Sequence, residues 1–183
     1  MGRITRELDA PYRSFIERQR MFFVSTAPLA ADGHVNCSPR GLDCFRVLGE
    51  HAVGWLDLTG SGAETIAHLR ENGRVVLMFC AFAGPPRIVR LHGRGRAVLP
   101  GDAEWEPLRA RFPAHGGARA VIAAQLDRIS DSCGTGVPRM EFVAERQELP
   151  QWSAKKGDDG LARYRRDKNA RSIDGLPAID PAP

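Results

Sequence analysis

Apolar residues along this chain recur mostly at a period of two, the spacing of half-buried strands, and only locally at the helical period. One early stretch is helical. In residues 11–20, Tyr12, Phe15 and Ile16 share a face, Asp9 stands as an N-cap and Pro11 sits in the first turn. Strand patterns then follow at 21–26, 34–38, 44–48 and 51–58, with a turn at Ala31-Asp32-Gly33 and a tight Gly49-Glu50 turn joining the last two. Residues 63–72 read as a short helix with Ile66 and Leu69 toward the core, and Gly73 fits the position just past its end.

Residues 74–82 form a nearly continuous apolar run, which predicts a central strand buried on both faces. Ala83-Gly84-Pro85-Pro86 is a loop, and 87–99 alternates again, with Gly93 and Gly95 marking a bulge or a barrel bend. Two helical stretches are expected at 102–112 and 118–127, then a strand at 139–146. From Trp152 onward the chain reads as a basic helical appendix, and 173–183, with three prolines, as extended or disordered. Six or seven strands with helices inserted, and no repeated βαβ spacing, predict a mainly β fold built as an antiparallel barrel. The expected division is a barrel domain over 1–150 and the appendix over 151–183.

Composition changes this picture little. The 183 residues are 43% hydrophobic and 26% charged, an ordinary globular balance. No apolar run approaches the roughly 20 residues of a membrane helix, and residues 1–7 are too polar for a secretory signal, so the expected location is the cytoplasm. Cys37, Cys44, Cys80 and Cys133 show no zinc-like spacing with one another or with the five histidines, which predicts free thiols and no metal. Cys37 and Cys80 in particular read as small apolar strand residues. The net charge of +4 raises nucleic-acid binding, but Asp158, Asp159 and Asp167 interrupt the densest basic stretch, so a solvated helix face explains it better. A mild positive field also suits a small anionic ligand.

The candidate chemistry lies in three places. In Trp55-Leu56-Asp57-Leu58-Thr59-Gly60-Ser61-Gly62-Ala63-Glu64-Thr65 an apolar strand enters a small-residue turn and then a helix, which aims free amides at one spot and suits a phosphate. The competing explanation, slightly favoured locally, is that Ser61 caps the helix with Glu64 completing a capping box. Ser38-Pro39-Arg40-Gly41 ends a strand, and Pro39 restricts it to a sheet edge or exit. Arg40 there is either a surface residue or a partner for a phosphate or a ring carbonyl. Ser130 to Pro138 reads as a small-residue loop leaving a helix, with Cys133 inside it. Glu64 and His68, one turn apart, are expected to pair on the helix surface. No nucleophile elbow, Ser/His/Asp set or carboxylate pair appears, so any chemistry belongs to a bound cofactor.

Taken in order, these segments resemble the pyridoxamine 5'-phosphate oxidase-like family of FMN-binding split β-barrels. The matching pieces are Phe22 to Thr26, Asp32-Gly33, Ser38 to Gly41, Trp55 to Thr65, Glu71-Asn72-Gly73-Arg74 with its strand, and Arg90 to Gly95, within roughly residues 12–150. The resemblance implies a homodimer with two FMN sites at the subunit interface. It implies that Ser38, Pro39, Arg40 and Gly41 run beside the isoalloxazine, that Leu58 and Thr59 flank it, and that Gly60, Ser61 and Thr65 serve the phosphate region. It further implies that Ser132 and Cys133 close over the cofactor from across the dimer and that Trp152 covers the ring. The family commonly places Arg or Lys at the start of this helix. Here Ala63, Glu64 and Thr65 stand there, so Arg40, or a residue such as Arg87, is expected to compensate. The C-terminal Arg/Trp-rich region that holds the substrate phosphate in the authentic vitamin B6 oxidase is not found. The implied activity is therefore an FMN-dependent oxidoreduction of another substrate, with a deazaflavin as a further possibility. The alternative is a non-catalytic flavin- or haem-binding module.

Overall fold

The computed structural model describes residues 2–179. Its strands form an antiparallel sheet in the order β3-β2-β6-β7-β8-β5-β4, with β1 (Ile4–Thr5) paired to β8. Helix α1 (Ala10–Glu17) starts where the side chain of Asp9 accepts the N–H of Tyr12, and it buries Tyr12, Phe15 and Ile16. Strands β2 (Phe22–Thr26) and β3 (Asn36–Arg40) pair antiparallel. β3 begins two residues later than the pattern suggests and includes Pro39, which is tolerated because β3 is an outermost strand. At the other end of the order, β4 (Phe45–Gly49) pairs with β5 (Ala52–Leu58).

These two ends meet through side chains instead of a ladder. Phe22 of β2 lies 5.3 Å from Phe45 of β4 between ring centroids, and Phe45 lies 5.1 Å from Phe79 of β6 (Arg74–Cys80). Phe22 also meets Trp55 of β5 edge-on. The sheet thus curls until β2 and β6, near one end of the order, share one aromatic core with β5 and β4 at the other, giving a split antiparallel barrel. β6 alternates between buried and half-buried positions, so it is interior in the sheet yet not buried on both faces as the apolar run predicts. β7 (Ile88–Val98) carries the expected bulge, a register shift at His92/Gly93. A Cβ on Gly93 would stand 2.1 Å from the carbonyl oxygen of Gln125, so only glycine fits there.

Three expectations are corrected. Residues 118–127 are not a helix but the first part of β8 (Ala118–Ser132), which pairs with β5 on one side and β7 on the other. Its alanines favour helix intrinsically. Enclosure between two strands, with Ala120, Val121 and Ile122 all buried, overrides that preference and erases the alternation that marks a strand. The loop at 133–138 consequently leaves a strand. Of the helix expected at 102–112 only α3 (Trp105–Arg109) forms, because Pro107 is tolerated only in a first turn and Pro113 follows closely. Residues 139–146 make no ladder; the segment runs irregularly, with Met140, Phe142 and Val143 exposed.

The C-terminal segment is helical from Glu148, four residues before Trp152. Helix α4 (Glu148–Lys168) breaks at Gly157, where φ is +62°. The break folds its halves together, so Trp152 and Tyr164 meet edge-on at 5.0 Å. On an unbroken helix they would stand about 18 Å apart. The tail beyond α4 is ordered up to its last described residue, with an isolated bridge between Arg171 and Pro177 and a fully buried Ala178. Residues 180–183 of the expected extended tail lie outside the described residues. Among the described residues no helix is long and apolar enough to cross a membrane.

Candidate functional site

The strand β5 leaves the core at Leu58, turns through Thr59 to Ala63, and enters helix α2 (Glu64–Glu71). Around this turn the structure buries Asp57, Thr59, Thr65, Arg119 and Asn169, each at most 3% exposed. Buried polar groups are costly unless each is matched, so their concentration at one corner marks it out.

Asp57 is the centre. Its Oδ2 accepts from Nε of Arg119 at 2.6 Å, and Nη1 of Arg40 lies 3.1 Å from its Oδ1. Burial alone would raise the Asp57 carboxyl, but Arg119 first and Arg40 second outweigh it and hold the group below the ordinary carboxylate value. The Arg40 contact is not aligned as a hydrogen bond, and Nε of Arg40 is buried with no partner. Arg40 therefore keeps donor capacity that the chain itself does not use.

Arg119 also shapes the turn. It donates to the carbonyl of Gly62 at 2.8 Å and approaches that of Gly60 at 3.5 Å, while Asn169 Nδ2 donates to Gly60 at 2.9 Å and approaches Ser61 at 3.4 Å. All peptides here are trans, so each held carbonyl turns the N–H of its own peptide away from the side chain that holds it. The expected Ser61 cap is not formed: the N-cap of α2 is Ala63, with no side-chain hydrogen bond. Capping thus does not consume the early amides, and the first turn keeps the donors that suit an anion. Behind the turn, Arg165 of α4 donates to Oγ1 of Thr59 at 2.9 Å and to the carbonyl of Ala118 at 3.1 Å. Burial, then the nearby Arg119 charge, lower its pKa.

Between β3, the turn and β8 lies a polar cleft of about 120 Å³, lined by Asn36, Ser38, Arg40, Leu58, Gly60, Gly62, Glu64, Thr65 and Arg119. Of the expected site residues the structure brings Ser38, Arg40, Leu58, Gly60 and Thr65 together here. Thr59 and Ser61 support the turn, and Pro39 lies between Ser38 and Arg40 on β3. Gly41 instead lines a separate cavity of about 290 Å³ between α1 and the aromatic core. Ser132 ends β8 thirteen residues beyond Arg119, about 40 Å along a strand. It accepts from Arg90, and Cys133 contacts Thr135, so neither reaches this cleft within one chain. Trp152 packs on Tyr164 and Lys156. Arg87 is paired with Asp131 and stacks over Tyr12, so of the two residues expected to compensate only Arg40 lines the cleft, joined there by Arg119.

Sequence reasoning missed Arg119, Asp57, Asn36 and Asn169. Arg119 went unnoticed because its strand reads as a helix. A pairing on the helix surface between Glu64 and His68 is not found: His68 is fully buried and bonded to Thr26 at 3.0 Å. Cys37 is exposed, unlike the apolar strand position expected of it. Among the described residues, no group of three His, Cys, Asp or Glu side chains is placed to hold a metal ion.

Comparison with known proteins agrees with this architecture. The family model described as pyridoxamine 5'-phosphate oxidase matches residues 8–133. The pyridoxamine 5'-phosphate oxidase family protein ustO of Aspergillus flavus is 36% identical, with 93% of this chain and 75% of that protein aligned. Among solved structures, HupZ of Group A Streptococcus superposes with a TM-score of 0.51 at 19% identity, over 66% of this chain and 90% of the other. A protein described as a pyridoxamine 5'-phosphate oxidase from Lactobacillus delbrueckii gives 0.52 at 15% identity, over 68% and 94%. With two thirds of its length matched by the family model, and a curated relative above one-third identity, the chain belongs to the pyridoxamine 5'-phosphate oxidase family.

Proposed function

We propose that this protein binds flavin mononucleotide with the cofactor's phosphate in the cleft at the start of α2, and that it is an oxidoreductase on a small organic substrate. The observation that carries the reading is the donor set: the α2 terminus, with no side-chain cap, and the buried, unpartnered Nε of Arg40 beside it. Arg40 and Arg119 flank a single buried carboxylate, Asp57, and Arg165 stands behind the turn within the field of Arg119, so the corner holds more positive than negative charge even with Glu64 at the rim. That balance supports a phosphate despite the missing cation at the helix start.

The residues present fit the phosphate end of such a cofactor and not its whole length. A cleft of about 120 Å³ is well below the roughly 300–1,000 Å³ of sites that enclose a small molecule. The remainder needs a second surface, which supports a homodimer whose partner completes the site. When bound, a flavin supplies hydride acceptance and its return to a second substrate. The chain's own residues hold the phosphate end, orient the ring along β3 from Ser38 to Arg40, and keep Arg40 as the group able to turn from Asp57 toward the ligand.

One observation favours a second reading, a non-catalytic flavin holder. The titratable side chains lining the cleft are two arginines and one glutamate, with no histidine, cysteine or tyrosine among them. The visible absorption spectrum of the freshly purified full chain, before and after adding flavin mononucleotide, tests the binding. A flavin spectrum is expected; a colourless protein that takes up none overturns the proposal. Turnover of bound flavin with NAD(P)H or an organic donor then separates enzyme from holder.

A further inference from the structure

From the cleft a chain of half-buried hydrogen bonds runs inward to a buried histidine that the flavin reading does not use. Asn36 Nδ2 donates to Oγ1 of Thr65 at 3.0 Å and to Oγ1 of Thr26 at 3.1 Å, and its Oδ1 accepts from Ser38 at 2.9 Å. Oγ1 of Thr26 lies 3.0 Å from Nδ1 of His68. Ser38, Asn36 and Thr65 line the cleft, whereas Thr26 and His68 are buried behind it and Nε2 of His68 has no partner.

Each hydroxyl has one proton, so the chain has a direction. With the Asn36 amide assigned as above, both its protons go to the two threonines. Thr26 then gives its own proton to His68, whose Nδ1 is an acceptor. Ser38 spends its proton on Asn36 and faces the cleft with lone pairs. Thr65 accepts from Asn36 and keeps its proton free to donate. If His68 carried the proton on Nδ1, Thr26 could accept from both His68 and Asn36 only by leaving its own proton without either as acceptor. Using that proton reverses the order: Thr26 donates to Asn36, the amide turns over, and Ser38 becomes the free donor while Thr65 spends its proton.

We propose that His68 is a positioning residue: acting through Thr26 and Asn36, it sets which hydroxyl of the cleft donates and which accepts. The ligand chemistry selected is a phosphorylated polyhydroxy chain, with an anionic oxygen at Thr65 and an adjacent hydroxyl donating to Ser38. Only the identity of that ligand rests on the flavin reading; the proton order does not. Burial keeps the ring neutral, lowering its pKa although Asp174, Glu64, Glu71 and the backbone of Thr26 act in the opposite sense.

The test is the 15N spectrum of the histidine-labelled full chain, which distinguishes the two neutral tautomers. The expected result is an unprotonated Nδ1 and a protonated Nε2 at His68. Asn36→Asp replaces the amide with a group that only accepts, so Thr26 must donate to it and His68 must move its proton to Nδ1. A protonated Nδ1 in the unaltered protein, or no tautomer change in Asn36→Asp, overturns the proposal. In the binding arm, His68→Asn, which keeps an acceptor near the Nδ1 position, should hold the affinity for flavin mononucleotide within about threefold. His68→Leu should weaken it about tenfold, the scale of one lost hydrogen bond. Equal losses in both variants would mark the role as structural and refute positioning. If the unaltered protein takes up no flavin, the flavin reading fails while the histidine spectra still decide this proposal.

Discussion

Replacing Arg119 with methionine probes the corner most directly. Methionine keeps a flexible apolar stem but removes the guanidinium from a carboxylate that is fully buried. Breaking a buried ion pair by deleting one partner costs about 3–5 kcal/mol, because the remaining charge is stranded. Arg40, 3.1 Å from the other carboxylate oxygen, still compensates in part, which puts the expectation at the lower end, about 3 kcal/mol. For a chain of this size each kcal/mol shifts the melting midpoint by roughly 2–4 °C, so about 6–12 °C should be lost. Urea titration and thermal melting at several pH values measure it. In the unaltered protein the folded pKa of Asp57 is depressed. Its stabilisation is therefore present above the unfolded value near ~3.9 and lost as pH falls through the folded one. Without Arg119, burial raises the folded pKa, so the carboxyl takes up a proton at higher pH and the strain of the stranded charge is relieved on acidification. The deficit should be greatest near neutrality and shrink toward acid. Adding Asp57→Asn should recover part of the loss, since the stranded charge disappears. A deficit under about 1 kcal/mol at neutral pH, or one that grows with acid, refutes the account of this pair.

Three further outcomes are expected. Gly93→Ala forces a Cβ against the Gln125 carbonyl and should either prevent folding or cost more than about 2 kcal/mol in urea titration; a neutral result would contradict the bulge geometry. Leu42, at φ +60°, is a bulky residue in the left-handed region, so Leu42→Gly should leave stability unchanged or raise it by up to about 1 kcal/mol, and a clear loss on denaturation would show that the side chain matters more than the strain. The tail turn is held by His34 and Asp174, which bond at 2.6 Å. The His34 pKa is raised, mainly by its hydrogen bond to Asp174, so the contact should weaken as pH rises through that value; the Asp174 pKa is lowered, so it should also weaken in strong acid. Hydrogen-exchange protection at residues 172–176, relative to the intrinsic rate at each pH, should be greatest between those limits, and a pH-independent protection would count against the pairing.

The parts of the fold legible from sequence are those where one face meets solvent. The period-two pattern of β2 follows from local side-chain alternation, whereas β5, buried at five consecutive positions, shows as an apolar run into the small-residue turn before α2, and the bulge in β7 shows as its glycine. Pro39 places β3 at an edge for a covalent reason, its missing N–H. The alanine-rich start of β8 fails because it is enclosed by β5 and β7, so no polar face remains to show a period. That single misreading hides Arg119, since its meeting with Asp57 depends on β8 lying beside β5. The Ser61 cap is a sound local inference that loses to a distant one: Arg119 and Asn169, 57 to 109 residues away, take the turn's carbonyls and set its orientation. Ser38, Arg40 and Thr65 were legible as chemistry because their segments resemble a known family. Their buried support was not, since it comes from chain segments brought together only by folding.

The cleft at the start of α2 is proposed to receive the phosphate of a flavin. Titrating the purified full chain with flavin mononucleotide and with riboflavin, followed by flavin fluorescence, tests it most directly. The account predicts saturable binding of one flavin mononucleotide per chain, with riboflavin weaker by at least about tenfold, the loss of roughly one charge-assisted hydrogen bond. Equal affinity for the two flavins, or no uptake of either, would contradict it.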